Sequence, residues 1–286
     1  MSTGRAWGED EGTQAIRAAL LAGAPAAAGM EIIDAHAHIG PWFNFRIPQP
    51  YANGMLRTMD QCGIAEAWIT ADAAIGPDFR LGNDLVWQAV RDHPDRFRGY
   101  VTVNPHQTEP SAEEVRRRVD QGWRMIKLHP GTHQHPADGP GYRPIWELAQ
   151  QHRLHVLSHS FPSAQALAAL AATYREVSIL VAHAASAPER LAAYYEVCAA
   201  HPNVSLDLCG SLLWRGMLEQ MVAGAGAGRI LYGSDIPFID PRPQLGRVAF
   251  ARLPRDALRA VLGGNARAIW RRLSRGDAIE RQPADT

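Results

Sequence analysis

The 286-residue sequence predicts an α/β protein, a single-domain (β/α)8 TIM barrel, on two observations. Short aliphatic or β-branched runs alternate with longer stretches of helical period, as in repeated βα units around a parallel sheet. These runs number eight, a barrel count. They are Ile32 to Ala35, Glu66 to Thr70, Gly99 to Val103, Met125 to Leu128, His155 to Ser158, Ser178 to Ala182, Val204 to Leu208 and Ile230 to Gly233.

Residues 1–29 precede the first run, are rich in Ala and Gly and lack a strand pattern, so they are expected to be a flexible or helical N-terminal extension, dispensable to the barrel. The barrel itself is expected over residues 30–273, followed by a tail at 274–286. Between the runs, segments such as Ser111 to Gln121 and Ala164 to Tyr174 have helical spacing. Ser111 and Ser163 sit where N-caps belong, Pro188 opens the helix after the sixth run, and Gly63 closes the helix before the second.

Acidic and basic residues balance at twenty-nine each, so no strong field draws the chain to nucleic acid or a membrane surface. The expected partner is a small-molecule substrate, and a homodimer is compatible with aromatic residues on the rim. Three scattered cysteines make no disulfide framework, and Leu20 to Met30 is a poor export signal because Pro25 interrupts it and its upstream flank is acidic. A cytoplasmic location is expected.

The first run ends in Asp34-Ala35-His36-Ala37-His38, and strand alternation turns both histidines to one side, into the barrel mouth. His159, His183 and Asp235 each follow a later run, on the rim where barrel active sites lie. Imidazole nitrogens with a carboxylate oxygen suit zinc, with manganese, iron or cobalt as alternatives. Asp235, in Gly-Ser-Asp-Ile-Pro, also suits a turn cap, and His183 alone also suits a buried structural histidine.

Lys127 is the only lysine in the chain, and alternation points it inward together with His129. A lysine there can polarise substrate, titrate at depressed pKa or accept carbon dioxide as a carbamate bridging two metals; an arginine can only supply charge. Other candidate substrate contacts are His133 in the Gly/Pro-rich loop after the fourth run, Trp42 and Arg46 after the first, and Arg215, beside Leu213 and Trp214, after the seventh. His155 is expected to face the barrel interior as a core histidine.

Taken together, Ile32-Ile33-Asp34-Ala35-His36-Ala37-His38, Ile126-Lys127-Leu128-His129-Pro130, Ser158-His159, Val181-Ala182-His183 and Tyr232-Gly233-Ser234-Asp235 resemble the amidohydrolase-related family, from Met30 to about Arg272. The resemblance implies one divalent metal held by His36, His38, His159 and Asp235, with His183 beside it and Asp235 or His183 moving protons. It implies hydrolysis of an amide, lactone or ester bond through metal-activated water as the first expectation. Nonoxidative decarboxylation of an aromatic or unsaturated acid is the second, with Arg46 or Arg215 holding the carboxylate. A noncatalytic metal-binding barrel is the third.

Overall fold

The computed structural model describes residues 11–279 apart from 77, 187 and 211–213. Eight parallel strands follow one another in chain order around a nearly closed barrel: β1 (Ile32–Ile39), β2 (Ile64–Ala71), β3 (Phe97–Thr102), β4 (Met125–Leu128), β5 (His155–Ser158), β6 (Ser178–Val181), β7 (Val204–Asp207) and β8 (Ile230–Leu231). Every run read from the sequence falls on one of them. The seam is joined by backbone bonds between β1 and the chain after β8: Ala35 N–H donates to Tyr232 O (2.9 Å), Asp235 N–H to His36 O (3.0 Å) and His38 N–H to Ile236 O (2.7 Å).

Alternation along the strands sorts the core into two layers. Ile126, Leu128, Val156, Ile179, Val181, Val204 and Leu206 face the surrounding helices, while Met125, Leu157, Leu180 and Leu231 fill the barrel interior with Ile33, Trp68 and Tyr100. Ile269 and Trp270 of the closing helix Asn265–Arg275 pack against that inner layer.

β1 departs from simple alternation. Ile33 and Ala35 belong to the inner layer, yet Ala37 and Ile39 belong to the outer one. The reason is a register shift: Asp34 pairs with Ala67 and Ala37 with Ile69, three steps on β1 against two on β2. Such a bulge re-aims the side chains beyond it, and here it turns His36 and His38 inward.

The helix punctuation holds at Ser163, whose hydroxyl accepts from Ala166 N–H (3.1 Å), at Pro188, the first residue of Pro188–Ala200, and at Gly63, whose φ of +69° ends Ala52–Cys62. Ser111 is not an N-cap. Its helix starts earlier, at Thr108, because Pro110 is tolerated in a first turn that needs no N–H there. The Ser111 hydroxyl instead donates to Asn104 O (2.9 Å) and accepts from Asn104 N–H (3.0 Å), tying the helix to the loop after β3.

The described part of the leader packs against the rest of the chain. Residues Glu11–Leu21 form a helix that buries Ile16 and Leu20, one turn apart on one face, and Arg17 Nε donates to Ala249 O (3.0 Å). Its Ala-rich composition concealed this short apolar stripe. Residues 1–10 of the leader, 280–286 of the tail, and Leu213 lie outside the described residues. No described helix is long and apolar enough to cross a membrane.

Candidate metal centre

The barrel's upper rim gathers ionisable side chains from β1, β2, β4, β6, β7 and β8. His36 is fully buried between two partners: its Nδ1 bonds Asp207 Oδ2 (2.6 Å) and its Nε2 lies 2.7 Å from Lys127 Nζ. Asp235 Oδ1 lies 3.5 Å from His36 Nε2 and 3.4 Å from His38 Nε2. The other carboxylate oxygen lies 3.7 Å from His183 Nδ1. His38 Nδ1 bonds Asp72 Oδ1 (2.8 Å), the residue that follows β2.

Asp207, at the end of β7, organises much of this. Besides the His36 ring it accepts the backbone N–H groups of His183 (2.7 Å) and Cys209 (3.0 Å), both on Oδ1. With Oδ1 so engaged and Lys127 donating to Nε2, the proton shared by His36 and Asp207 belongs on Nδ1. That leaves the Nε2 lone pair facing Lys127 and Asp235. Gly233 allows the close approach of this group, since a Cβ there would lie 2.9 Å from His36 Cβ and 3.3 Å from Cys209 Cβ.

His183 and Asp235 both adopt left-handed backbone conformations, with φ of +51° and +61°. Such conformations are uncommon outside glycine and cost energy unless the surroundings impose them. For Asp235 the turn-cap reading fails because Ser234 makes that turn: its hydroxyl accepts from Ile236 N–H (3.1 Å) and donates to Asp34. The Asp235 carboxylate is thereby released toward the histidines.

Burial governs the charge states. It pushes His36 well below the ordinary imidazole range, aided by the Lys127 charge, and lowers His159, His183 and His129, the Asp235 charge partly opposing it at His159 and His183. It also lowers Lys127 to about 8. At His38 burial is outweighed by Asp72 and Asp235, so that ring is raised. At Asp235 burial is likewise outweighed, by His36, His38 and His183, and its carboxyl lies well below the usual range. The neutral imidazoles of His36, His159 and His183 beside an ionised carboxylate are donors suited to a divalent cation.

The fit to a cation rests on one atom in particular: Asp235 Oδ1 is buried and has no hydrogen-bond partner, although imidazole nitrogens converge on it. Buried carboxylate oxygens are normally satisfied, and a cation shared with those nitrogens would do so. The donors lying within 4.8 Å of one another are those of His36, His183, Cys209 and Asp235.

Of the other residues anticipated from sequence, His159 stands beside this group, its ring 4.7 Å from His183 and stacked on His129 at 4.0 Å. Lys127 points into the cluster as alternation required. His133 does not serve as a free contact: its Nδ1 bonds Tyr142 Oη (2.8 Å) and its Nε2 bonds Ile75 O (3.0 Å), which occupies both nitrogens and locks the loop. Trp42 lies over the rim, its ring 5.9 Å from Phe238, which itself stacks on His38 at 4.5 Å. Arg46 is exposed. Arg215 lines a separate groove of about 1220 Å³ with Trp214, Arg247 and Phe250, none of which belongs to the histidine cluster. His155 faces the interior as expected, bonded to Ser178 Oγ (3.0 Å) and edge-on to Trp68.

Sequence reading missed Asp72, Asp207, Cys209 and Phe238. Parity could have found three of them, since Asp72 continues the face of Thr70, and Ser205, Asp207 and Cys209 share one face of the seventh run.

The amidohydrolase family model matches residues 33–272, and the chain belongs to that family. No curated protein matches it. Among solved structures it is similar to the 5-carboxyvanillate decarboxylase of Sphingomonas paucimobilis, at 17% identity and TM-score 0.67 over 85% of this chain and 99% of that one. It is similar to the 2,6-dihydroxybenzoate decarboxylase of Rhizobium at 18% identity and TM-score 0.65, over 85% and 99% of the two chains. A dihydroxybenzoic acid decarboxylase of a Polaromonas species, solved with manganese and the inhibitor 2-nitroresorcinol, matches at 17% identity and TM-score 0.66, over 85% and 97%.

Proposed function

We propose that this member of the amidohydrolase family is a metal-dependent nonoxidative decarboxylase of an aromatic carboxylic acid. The observation that carries the reading is the bank of rings beside the donor cluster. Phe238, 4.5 Å from the His38 ring and inclined at 24° to it, is flanked by Phe45 at 5.4 Å and Trp42 at 5.9 Å. Such a wall favours a flat aromatic substrate by stacking. The decarboxylases of similar fold, which are named for aromatic acids, support the same choice over the hydrolytic expectation.

His36, His183 and Asp235, with His38 and His159 close by, would hold the cation. When bound it would supply positive charge that stabilises the substrate carboxylate and withdraws electron density from the ring. Asp235, held ionised, takes the proton of a ring hydroxyl ortho to the carboxylate and returns it to the carbon that bears the carboxylate. The carbon–carbon bond then breaks, its electron pair restores the ring, and carbon dioxide leaves behind a phenolate, with no oxidant or reductant consumed. Lys127 supplies the cation for the departing carboxylate, the role first expected of Arg46 or Arg215, because it is buried against His36 whereas they lie in exposed positions.

The test is carbon dioxide release from a panel of ortho-hydroxybenzoates by protein loaded with zinc or manganese, run beside lactones, esters and amides. Decarboxylation that disappears in Asp235→Asn supports the reading. Turnover of lactones, esters or amides without decarboxylation restores hydrolysis through activated water, which uses the same side chains.

A further inference from the structure

We propose that Cys209 is a donor to the cation of this site and biases it toward a borderline-soft ion such as zinc or cobalt over manganese. The inference rests on the reading that the cluster holds a cation, and deepens it.

Two of the three cysteines, Cys62 and Cys198, lie in the apolar layer between barrel and helices, where a buried thiol serves as a small hydrophobe. Cys209 belongs to neither apolar layer. Its sulfur sits with the donor atoms of His36, His183 and Asp235, all within 4.8 Å of one another. Donors around a tetrahedral zinc with bonds of about 2.0–2.3 Å stand about 3.5 Å apart, so closure requires shifts of roughly 1 Å or less.

Two further observations point the same way. The buried Asp235 Oδ1, on a residue only 7% exposed, is aimed at this group without a hydrogen-bond partner. Asp207 fixes Cys209 and His183 through their backbone N–H groups and His36 through its ring, so one carboxylate sets three of the four donors. His36 and Asp235 are common to this group and to the set implied by resemblance. Cys209 adds a ligand type that the resemblance did not suggest.

On binding, the thiol gives its proton to solvent and the sulfur donates an electron pair, with no change of oxidation state. Thiolate suits zinc and cobalt, whereas manganese prefers oxygen donors. Replacing the sulfur by a hydroxyl therefore weakens zinc far more than manganese.

The full chain is titrated with cobalt(II), whose visible bands report binding and whose near-ultraviolet band reports thiolate ligation. The wild type should develop both, and Cys209→Ser should keep the visible bands while losing the near-ultraviolet one. Its zinc affinity should fall at least about tenfold and its manganese affinity by less than about threefold. A Cys62→Ser/Cys198→Ser variant should retain the full near-ultraviolet band, which carries the test even if Cys209→Ser folds poorly. Visible bands without a near-ultraviolet band in the wild type, or its survival in Cys209→Ser, overturn the thiol ligand and leave the metal reading standing. Absence of both bands at saturating cobalt overturns the two together.

Discussion

At the lower end of the barrel, the buried carboxylate of Glu66 meets the guanidinium groups of Arg98 (3.2 Å) and Arg267 (3.3 Å) and the indole N–H of Trp68 (2.9 Å). At the upper end, the buried carboxylate of Asp235 faces His36, His38 and His183 at 3.4–3.7 Å and keeps one oxygen without a hydrogen bond. Both carboxylates are removed from water, but only the lower one is matched by its own chain. The lower arrangement fastens the closing helix to the strands, whereas the upper one leaves a donor oxygen available to a ligand. The same division between a stabilising bottom and a functional top is general to such barrels.

The largest expected effect comes from breaking the upper end. Asp235→Asn should abolish stoichiometric metal content and lower kcat/KM at least about a thousandfold while leaving thermal unfolding nearly unchanged, as elemental analysis, kinetics and calorimetry would register. Asp207→Asn tests whether the upper end depends on its supporting carboxylate. The amide still accepts the two backbone N–H groups but donates to His36 Nδ1, which forces the ring proton onto Nε2 and blocks that lone pair. Metal affinity should fall about 10–100-fold by competition with a chelator, and a smaller change would show that Asp207 is only structural.

Breaking the lower end should reverse the pattern. Glu66→Gln leaves two partly buried guanidinium groups without their charge partner, so stability should drop by about 2 kcal/mol in denaturant titration, while metal content and turnover of the folded protein stay unchanged. A further effect is a pH dependence from the barrel interior. Burial, aided by the Arg272 charge and partly opposed by Ser178, lowers His155 from 6.5 to about 3. Below about pH 6.5 the unfolded chain takes up a proton that the folded chain refuses. Stability from this residue is therefore full above that pH and is lost as pH falls, by about 1.4 kcal/mol per unit down to about 3. Denaturant unfolding at about pH 7 and 5 should show a shallower loss in His155→Gln than in the wild type.

The barrel was readable because its strands are short aliphatic runs whose burial on both faces leaves little room for polar residues. Their ends at the rim are where chemistry shows, which is why His36, His183, Lys127 and Asp235 stood out. What stayed hidden depends on geometry that no periodicity encodes. His36 and His38 were expected on one face and are, but that face is set by the bulge after Asp34; unbroken alternation from Ile33 and Ala35 would have sent them outward. His133 and His135 repeat the spacing of His36 and His38, yet the turn at Pro130–His133 folds His133 onto Tyr142. Asp207 and Cys209 were overlooked because they sit at or just past the end of an aliphatic run, where acidic and sulfur-bearing residues read as ordinary loop. The leader's packing rested on two apolar residues in an alanine-rich stretch, too weak a stripe to separate from background.

Asp207 has one more consequence. A single carboxylate anchors the His36 ring and the backbones of His183 and Cys209, so those three donors are all tied to the tip of β7. Asp235 stands across the β7–β8 boundary, where only Leu206–Ile230 and Asp207–Leu231 are paired. The spacing of Asp235 from those donors thus depends on the separation of β7 from the chain after β8, together with the bond from Asp235 N–H to His36 O. Substitutions that loosen that boundary and substitutions of Asp207 act on that same spacing, so their costs should fall short of additive in a double-mutant cycle.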